Sequence, residues 1–187
     1  MHPLRITWGD LSAVEASPAD VAPHAAQLAL AYNEPKNASL LGHTEELTTD
    51  DVVAHYAELA AGGGHPFLLF RDGQLSGDGD LRGLADGACE LAFLIADPAA
   101  QGKGLGTRFA TMLGAAAFGP LALTRIYASI VPANVASRRV FEKLGYTLDE
   151  SPTARSYADE PGDLVMSIDR ATFERTNAAA LAAIRFD

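Results

Sequence analysis

A glycine-rich turn between an apolar run and an amphipathic segment constrains the fold of this chain more than any other feature. The turn, Gln101 to Gly106, has the sequence Q-G-K-G-L-G and follows the apolar run Leu91 to Ala96. After the turn, apolar residues recur at helical spacing along one face: Leu105, Phe109, Met112, Leu113 and Ala116. This order predicts a strand, a tight turn and the N-terminus of a helix.

Such a turn favours the binding of an anion, in particular a phosphate group. Gly102, Gly104 and Gly106 can adopt backbone angles closed to other residues, so successive N–H groups can turn toward one anion. The helix that follows adds unpaired N–H groups and the positive end of its dipole. A glycine turn with no ligand is the alternative, because this spacing on its own is a weak signal.

Two better-known phosphate motifs do not fit the turn. A P-loop carries its lysine and hydroxyl directly after the second glycine, whereas Lys103 stands between Gly102 and Gly104. A dinucleotide-binding turn has a glycine where Thr107 stands and an acidic residue about 20 positions further on. The segment Gly114 to Val135 contains no acidic residue. The turn is therefore predicted to serve another phosphate ligand.

A second segment, Pro132 to Tyr146, predicts another helix after the strand-like run Arg125 to Val131. Its sequence is P-A-N-V-A-S-R-R-V-F-E-K-L-G-Y. Asn134 is a good N-cap and Gly145 stands where a left-handed C-terminal cap belongs. An apolar stripe is formed by Ala136, Val140, Phe141 and Leu144. Taken alone, this segment is typical of a well-capped core helix.

Together the two segments resemble the GNAT family of N-acetyltransferases, most strongly between about residues 90 and 146. Gln101 to Gly106 match the pattern [QR]-x-x-G-x-[GA], with which that family binds the pyrophosphate of coenzyme A. Asp97 and Pro98 precede the turn, as they often do there. Asn134, Ser137 and Phe141 look most similar to the RimJ/RimL-like branch that acetylates protein N-termini, and somewhat less to polyamine acetyltransferases.

The resemblance implies one α/β acetyltransferase domain over residues 1–187, with a mixed, mostly antiparallel sheet and about four helices. Its coenzyme-binding core is expected within about 88–150, and its acceptor-side elements within about 15–65 and 150–170. The sheet splays between its fourth and fifth strands, predicted at Glu90–Ala96 and Ile126–Val131.

The remaining elements follow from local patterns, and they mix strands with helices rather than alternating strictly. We predict further strands at Leu4–Trp8, Phe67–Phe70, Tyr146–Asp149 and Leu164–Ile168, with turns at Asp72-Gly73 and Asp86-Gly87. We predict helices at Val21–Tyr32, from a cap at Thr48 or Thr49 to the glycines at 62–64, and at Asn177–Ile184.

By the same resemblance, acetyl-CoA is the expected co-substrate and three groups of residues are expected to contact it. The exposed strand edge pairs with the pantetheine arm as an edge strand pairs with a missing neighbour. The expected contacts are Leu94, Ile95 and Ala96 on that edge; Gln101, Gly102, Lys103, Gly104, Leu105, Gly106 and Thr107 in the turn; and Asn134 and Ser137 at the second helix.

Transfer of an acetyl group to an amine requires a neutral amine, an oxyanion site and a proton for the departing thiolate. Glu90 is the leading base, because it lies in the strand expected beside the acyl group. Its apolar neighbours Leu91, Ala92 and Phe93 would raise its pKa. A carboxylate facing water, or a relay through water, is the alternative.

The source of the proton for the thiolate is less defined. Many relatives carry a tyrosine at the position matching Phe141, which has no proton to give. The resemblance makes Ser137 the expected substitute, although a serine there can instead satisfy a local backbone group. Tyr127 and Tyr146 are further candidate donors, and direct release of thiolate to solvent is a fourth possibility.

The acceptor is expected to be an amine, and cationic amines are among the candidates. The segments 33–47 and 151–163 are expected to bound its cleft. They carry or adjoin Glu34, Glu45, Glu46, Asp159, Glu160, Tyr32 and Tyr157. A protein N-terminus, a polyamine, a lysine and an amino-sugar antibiotic all fit. An acyl-CoA sensor or interaction protein that has lost transfer is the alternative function, favoured by Phe141.

Composition and charge exclude several classes of binding partner. The formal charge of −10 argues against a nucleic-acid partner and would attract a basic acceptor. No apolar run approaches bilayer length and no signal peptide is visible, so we predict a cytoplasmic monomer or homodimer without a membrane partner. The histidines have no metal-ligand spacing, so no metal is predicted; they are His2, His24, His43, His55 and His65. Cys89 is expected to pack beside a strand.

Overall fold

The computed structural model describes residues 3–42, 45–96 and 100–187, and its centre is a continuous nine-stranded sheet. The strands are β1 (Arg5–Trp8), β2 (Leu11–Glu15), β3 (His65–Arg71), β4 (Gln74–Ala85), β5 (Ala88–Ile95), β6 (Arg125–Ile130), β7 (Thr147–Leu148), β8 (Leu164–Asp169) and β9 (Arg185–Phe186). They lie in the order β7-β8-β6-β5-β4-β3-β2-β1-β9. Every pair is antiparallel except β5 with β6. The predicted mixed, mostly antiparallel sheet is confirmed.

Helices flank this sheet on both faces. They are α1 (Pro18–Val21), α2 (Ala25–Asn33), α3 (Pro35–Leu41), α4 (Thr49–Ala61), α5 (Leu105–Phe118), α6 (Val135–Leu144), α7 (Pro152–Arg155), α8 (Arg170–Thr176) and α9 (Ala178–Ala183). Four of these described helices have nine or more residues, namely α2, α4, α5 and α6. None of the helices in the described ranges is long and apolar enough to span a membrane.

Local signals account for most of these boundaries. Thr48 caps α4 through a capping box, in which its side chain and that of Asp51 bond each other's backbone N–H groups. At the β3–β4 turn, Asp72 and Gly73 have φ angles of 48° and 78°, the left-handed values that a tight hairpin turn requires. The elements that were not predicted, β2, β9, α1, α3, α7 and α8, have at most seven residues each and no strong local pattern.

The sheet opens between β5 and β6. Pairing between them covers only Ala88 to Glu90 against Arg125 to Tyr127. Beyond Glu90 and Tyr127, the two strands continue without pairing to each other, β5 as far as Ile95 and β6 as far as Ile130. We call the space between these unpaired stretches the gap. It confirms the predicted splay.

The two faces of the sheet carry different helices. On one face, Leu28 of α2 and Tyr56 of α4 pack with Leu68 of β3 in one buried cluster. On the other, Phe109 of α5 and Phe141 of α6 join the main core of the sheet. All five apolar residues predicted for the inner face of α5 are buried. In α6, Phe141 and Leu144 are buried, Val140 is half-buried and Ala136 is exposed.

We expect Gly114→Ala to destabilise the fold, because α5 packs too closely on α8 for an added methyl group. A Cβ at Gly114 would lie 2.5 Å from Cζ of Phe173, a fully buried ring. Such overpacking costs about 1 to 3 kcal/mol, although alanine favours the helix. Urea unfolding measures the difference. Gly162→Ala is the control, since a Cβ there meets nothing within 4 Å; equal stabilities of the two variants would contradict the packing argument.

Candidate active site

Among the described residues, three N–H groups at the start of α5 have no backbone acceptor, as an anion site requires. Gly102 and Gly104 have φ angles of 75° and 84°. The first backbone bond of α5 runs from the N–H of Arg108 to the carbonyl of Gly104, at 3.1 Å. The N–H groups of Leu105, Gly106 and Thr107 therefore have no acceptor within the helix. A Cβ at Gly102 or Gly104 would meet nothing within 4 Å, so the turn leaves room for a ligand.

Gly106 is required for a different reason than the sequence suggested. Its φ is not in the left-handed region, so backbone freedom does not explain the glycine. Instead, a Cβ at this position would lie 3.0 Å from Cε2 of Phe93. The missing side chain lets the first turn of α5 pack directly on β5.

Gln101 fastens the turn to the end of β5. Its Nε2 donates to the carbonyl oxygen of Ile95 at 3.1 Å and to Oδ1 of Asn37 at 3.3 Å. Asn37 is buried in α3 and donates to the carbonyl of Ala31. The Gln101 side chain thus orients the turn, while Lys103 is exposed beside it. Asp97 and Pro98, also noted in the sequence, lie outside the described residues.

Along β5, the backbone N–H and C=O groups of every second residue face the gap. The N–H of Ala96 donates to Ser76 of β4, at 2.9 Å. Since backbone groups alternate between the two edges of a strand, those of Phe93 and Ile95 point toward the gap. Of the three predicted strand contacts, Ile95 therefore faces the gap, with its carbonyl already accepting from Gln101, and Phe93 faces the gap beside it.

The N-termini of α5 and α6 lie at the same end of the gap. β5 and β6 are parallel, so their carboxyl ends share one edge of the sheet, and each leads into one of these helices. At α6, Asn134 accepts the N–H of Ser137 at 3.0 Å and donates to the carbonyl of Leu40 at 3.3 Å. Within the described part of the chain, the Ser137 hydroxyl has no hydrogen-bond partner and stays available to a ligand.

Glu90 forms the closed end of the gap, where pairing with Tyr127 stops. It is buried, and both carboxylate oxygens accept from the Arg82 guanidinium at 2.9 Å. Burial raises the pKa of Glu90, an effect that the Arg82 hydrogen bonds oppose. Arg82 also contacts Asp159, at 3.0 Å. Glu90 is therefore where the sequence predicted it, but it is held in an ion pair.

Two buried carboxylates on β4, Asp78 and Asp80, were missed by the sequence reasoning. Oδ2 of Asp78 accepts from the hydroxyls of Tyr32 and Tyr56 at 2.8 and 2.9 Å. The nearest charge to Asp80 is Arg82, with 3.8 Å between Oδ2 and the guanidinium. In both aspartates, Oδ1 is buried without a partner among the described residues.

Burial raises the pKa of Asp78 to about 6 and that of Asp80 to about 7. For Asp78 the tyrosine hydroxyls limit the rise, and for Asp80 the charge of Arg82 does so. The alternating sequence S-G-D-G-D-L-R was the available signal, because every second residue of a strand lies on the same face.

An open cleft of about 380 Å³ lies beside Arg82 and Glu90, and Tyr157 and Asp159 line it as well. Tyr157 stacks on Tyr127 at 4.3 Å between ring centroids. The hydroxyl of Ser129 on β6 donates to Asp163 and accepts the N–H of Asp159. The segment 151–163, predicted to bound the acceptor cleft, is thus fastened beside the gap.

Three further residues that the sequence singled out, Phe141, Tyr146 and Cys89, are buried. Phe141 packs against Phe93 and Tyr146, with centroids 5.9 and 4.9 Å away. The Tyr146 hydroxyl is buried without a partner in the described ranges, and burial raises its pKa. Cys89 is buried, which raises the pKa of its thiol. No cluster of metal-ligating side chains occurs within the described residues, from which His2 and His43 are missing.

A parted sheet with a glycine turn and a helix N-terminus at its open end is the arrangement expected of the acyl-CoA-dependent transferases that the sequence resembles. A family model described as an acetyltransferase (GNAT) domain matches residues 14–147. The chain belongs to this family of acetyl-CoA-dependent acetyltransferases, which confirms the predicted family. No curated protein sequence matches the chain significantly.

Solved structures share the fold at low identity. The aminoglycoside acetyltransferase AAC(6′)-Ib, in complex with ribostamycin and coenzyme A, is 23% identical with a TM-score of 0.74, over 90% of this chain and 98% of that one. Mycobacterium smegmatis RimJ, in complex with CoA-disulfide, is 18% identical with a TM-score of 0.69, over 99% of both chains. The ribosomal-protein-S5-alanine acetyltransferase from Vibrio fischeri is 16% identical with a TM-score of 0.67, over 88% of this chain and 96% of that one.

We expect Asp80→Asn to make the protein more stable at pH 8. The folded-state pKa of Asp80 is raised from 3.8 to about 7, so its contribution to stability falls as pH rises through that window. Removing the charge should add up to about 4 kcal/mol at pH 8 and progressively less toward pH 5. Urea unfolding at pH 5, 6.5 and 8 measures the change. Asp86→Asn, in the exposed turn of the same hairpin, is the control. An Asp80→Asn protein less stable than wild type at pH 8 would contradict the burial argument.

Proposed function

We propose that this protein transfers the acetyl group of acetyl-CoA to a primary amine on a cationic acceptor. The observation that carries the proposal is that the two ends of the gap differ in chemistry. Unpaired N–H groups of the glycine turn lie at its open end, and a cluster of Asp78, Asp80, Arg82, Glu90 and Asp159 extends along β4 from its closed end. An anionic coenzyme suits the first and an ammonium group suits the second.

The residues at the open end fit coenzyme A. The turn from Gln101 to Thr107 offers N–H groups and the positive end of the α5 dipole to its pyrophosphate. Leu94, Ile95 and Ala96 stay the proposed strand contacts, with Phe93 added because its backbone also faces the gap. Asn134 shapes the opposite side of the entrance, and the unpaired Ser137 hydroxyl is proposed to contact the thiol end.

The residues at the closed end fit the acceptor. The cluster holds four carboxylates and one guanidinium, so it has a surplus of negative charge that an ammonium group can neutralise. Two of the structural neighbours are named for acceptors of this kind, an aminoglycoside and the alanine of a ribosomal protein. Polyamines and lysine side chains carry the same group. The acceptor is therefore proposed by chemical class, as a primary amine on a cationic molecule.

Catalysis then requires removal of a proton from the ammonium and delivery of one to the thiolate. Glu90 stays a proposed base, but it can act directly only after Arg82 releases an oxygen of its carboxylate. Ser137 is the proposed donor to sulfur, because Phe141 cannot donate and the Tyr146 hydroxyl is enclosed. The substituted position of Phe141 is also the observation that favours the second candidate function, an acyl-CoA sensor without transfer.

Two measurements test the proposal. The first is the melting temperature with and without acetyl-CoA, since a ligand bound only by the folded state must raise it. The second is thiol release from acetyl-CoA with spermidine, an alanyl peptide and ribostamycin as acceptors. Release with any of these supports transfer to an amine. A thermal shift without release for any acceptor would support the sensor, and no shift would remove the coenzyme site itself.

We expect Gly104→Val to weaken acetyl-CoA binding at least about 10-fold, because the side chain fills the space beside the N–H groups. The substitution also forces a branched residue into a left-handed conformation, at about 1 to 2 kcal/mol. Gly63→Val is a matched control, since Gly63 has a φ of 76° and a Cβ there also meets nothing within 4 Å. Titration calorimetry measures binding. Equal affinities of the two variants would contradict a coenzyme site at the glycine turn.

A further inference from the structure

Asp80 lies one strand away from the gap, on the face covered by α2 and α4. Its cross-strand neighbours are Pro66 on β3 and Ala92 on β5. Extending the parallel register of β5 and β6 by two residues beyond Glu90 and Tyr127 places Ser129 opposite Ala92 across the gap. Neighbouring strands are about 4.8 Å apart. Ala92, whose side chain is a single methyl group, is therefore the β5 residue that stands between Asp80 and the gap.

The small side chain at Ala92 keeps this approach open. Ala92 is half-buried, whereas Leu91 and Leu94 on the same strand are buried. Cross-strand side chains on one face have Cβ atoms about 4.5 to 5.5 Å apart, so the carboxylate of Asp80 extends over a short neighbour. A leucine in place of Ala92 would separate Asp80 from the gap.

Asp80 also has unused hydrogen-bonding capacity. Its residue is 7% exposed, and Oδ1 is buried without a partner in the described chain. A buried polar atom without a partner lowers stability, and a charged one lowers it more. Such an atom needs an explanation in a stable fold. An ammonium group entering from the gap would supply the missing donor and the missing charge.

The neighbouring carboxylates are less suited to receive that ammonium. Both oxygens of Glu90 accept from Arg82 at 2.9 Å. Asp78 accepts two tyrosine hydroxyls at Oδ2 and pairs across the strands with Leu94, closer to the open end of the gap. Asp159 sits on the more exposed rim of the cleft. Asp80 alone among these four combines burial, a free oxygen and a place beside the closed end.

We propose that Asp80, rather than Glu90, binds the ammonium group of the acceptor and takes one proton from it. This inference rests on the proposed amine transfer. The neutral amine nitrogen then forms a bond to the thioester carbon and the C–S bond breaks. The sulfur leaves as a thiolate and gains a proton, while the new amide nitrogen loses one. The fixed pair of Arg82 and Glu90 keeps the charge beside Asp80 constant during these steps.

This assignment makes the rate depend on pH in a defined way. Four ionisable groups of the described residues face Asp80 directly: Asp78 and Arg82 on β4, Glu90 on β5 and Asp159 in the segment 151–163. Tyr32 of α2 and Tyr56 of α4 act on it through their hydrogen bonds to Asp78. Burial raises the pKa of Asp80 to about 7, and a base works when deprotonated. We expect kcat/KM to rise with pH up to about 7 and then to level off.

Substitutions at the two carboxylates should have different effects. Asp80→Asn should lower kcat/KM at least about 100-fold and remove the rise near pH 7, while acetyl-CoA affinity stays within about twofold. Glu90→Gln removes a negative charge that raises the pKa of Asp80 and leaves Arg82 free to pair with Asp80. The rise in kcat/KM should therefore move to lower pH in Glu90→Gln without disappearing. Asp86→Asn, in the turn of the same hairpin, should match wild type.

The experiment measures thiol release from acetyl-CoA by the full-length protein between pH 5 and 9, with spermidine, an alanyl peptide and ribostamycin. Thermal unfolding and acetyl-CoA titration accompany each variant. Asp80→Ala with added formate adds a rescue test, since a small carboxylate can occupy the vacated space. Recovery with formate, but not with chloride, is expected of a group that moves a proton.

The possible results distinguish a failure of the role of Asp80 from a failure of the proposed amine transfer. Wild-type transfer with an unchanged pH profile in Asp80→Asn would overturn the role of Asp80 and leave the amine transferase intact. Loss of the rise in Glu90→Gln would assign the base to Glu90 instead, even if Asp80→Asn fails to fold. Binding of acetyl-CoA by wild type without transfer to any of the three acceptors would overturn the proposed function, and the role of Asp80 with it.

Discussion

The early end of pairing between β5 and β6 is the constraint on which the rest of the molecule depends. Three residue pairs hold the two strands together, and beyond Glu90 and Tyr127 they part. A parted sheet leaves backbone groups unpaired, and such groups are stable in a fold only when water or a ligand satisfies them. The glycine turn and the start of α6 stand at the open end of this gap, and the buried carboxylates stand at its closed end. The division into a coenzyme side and an acceptor side follows from where pairing stops.

Around the closed end, the protein maintains a cluster that folding alone would not favour. Asp78 and Asp80 are buried beside each other, each with one oxygen that has no partner among the described residues, and burial raises the pKa of both. Buried charge without a full set of partners lowers stability, so its presence points to a role in function. Arg82 limits the cost by balancing Glu90 and Asp159. The site therefore combines a rigid, neutralised pair with carboxylates that are poised to change their protonation.

Short-range patterns made much of the fold predictable, and long-range packing made the rest unpredictable. The turn at Gln101 to Gly106, the cap at Thr48 and the turn at Asp72-Gly73 depend on residues close in sequence, and all three were predicted correctly. β2 is held mainly by its neighbours β1 and β3, and α3 begins at Pro35, just after α2 ends, so neither has a strong pattern of its own. The burial of Asp80 depends on α2 and α4 closing over β4, and the partner of Glu90 depends on the β4–β5 register. Neither could be derived from the residues around them.

The pair of Arg82 and Glu90 has a consequence for how this protein can diverge. Replacing Arg82 alone leaves the Glu90 charge buried without its cation, which is more damaging than losing both groups. Replacing Glu90 alone still leaves Arg82 beside Asp159 and Asp80, so the mutational effects at the two positions are unequal and will not add. Natural relatives or laboratory libraries that replace one without the other will need a compensating charge, and Asp159 on the rim is the nearest residue able to supply it for Arg82. Arg82 and Glu90 at the closed end of the gap are therefore expected to change together in evolution.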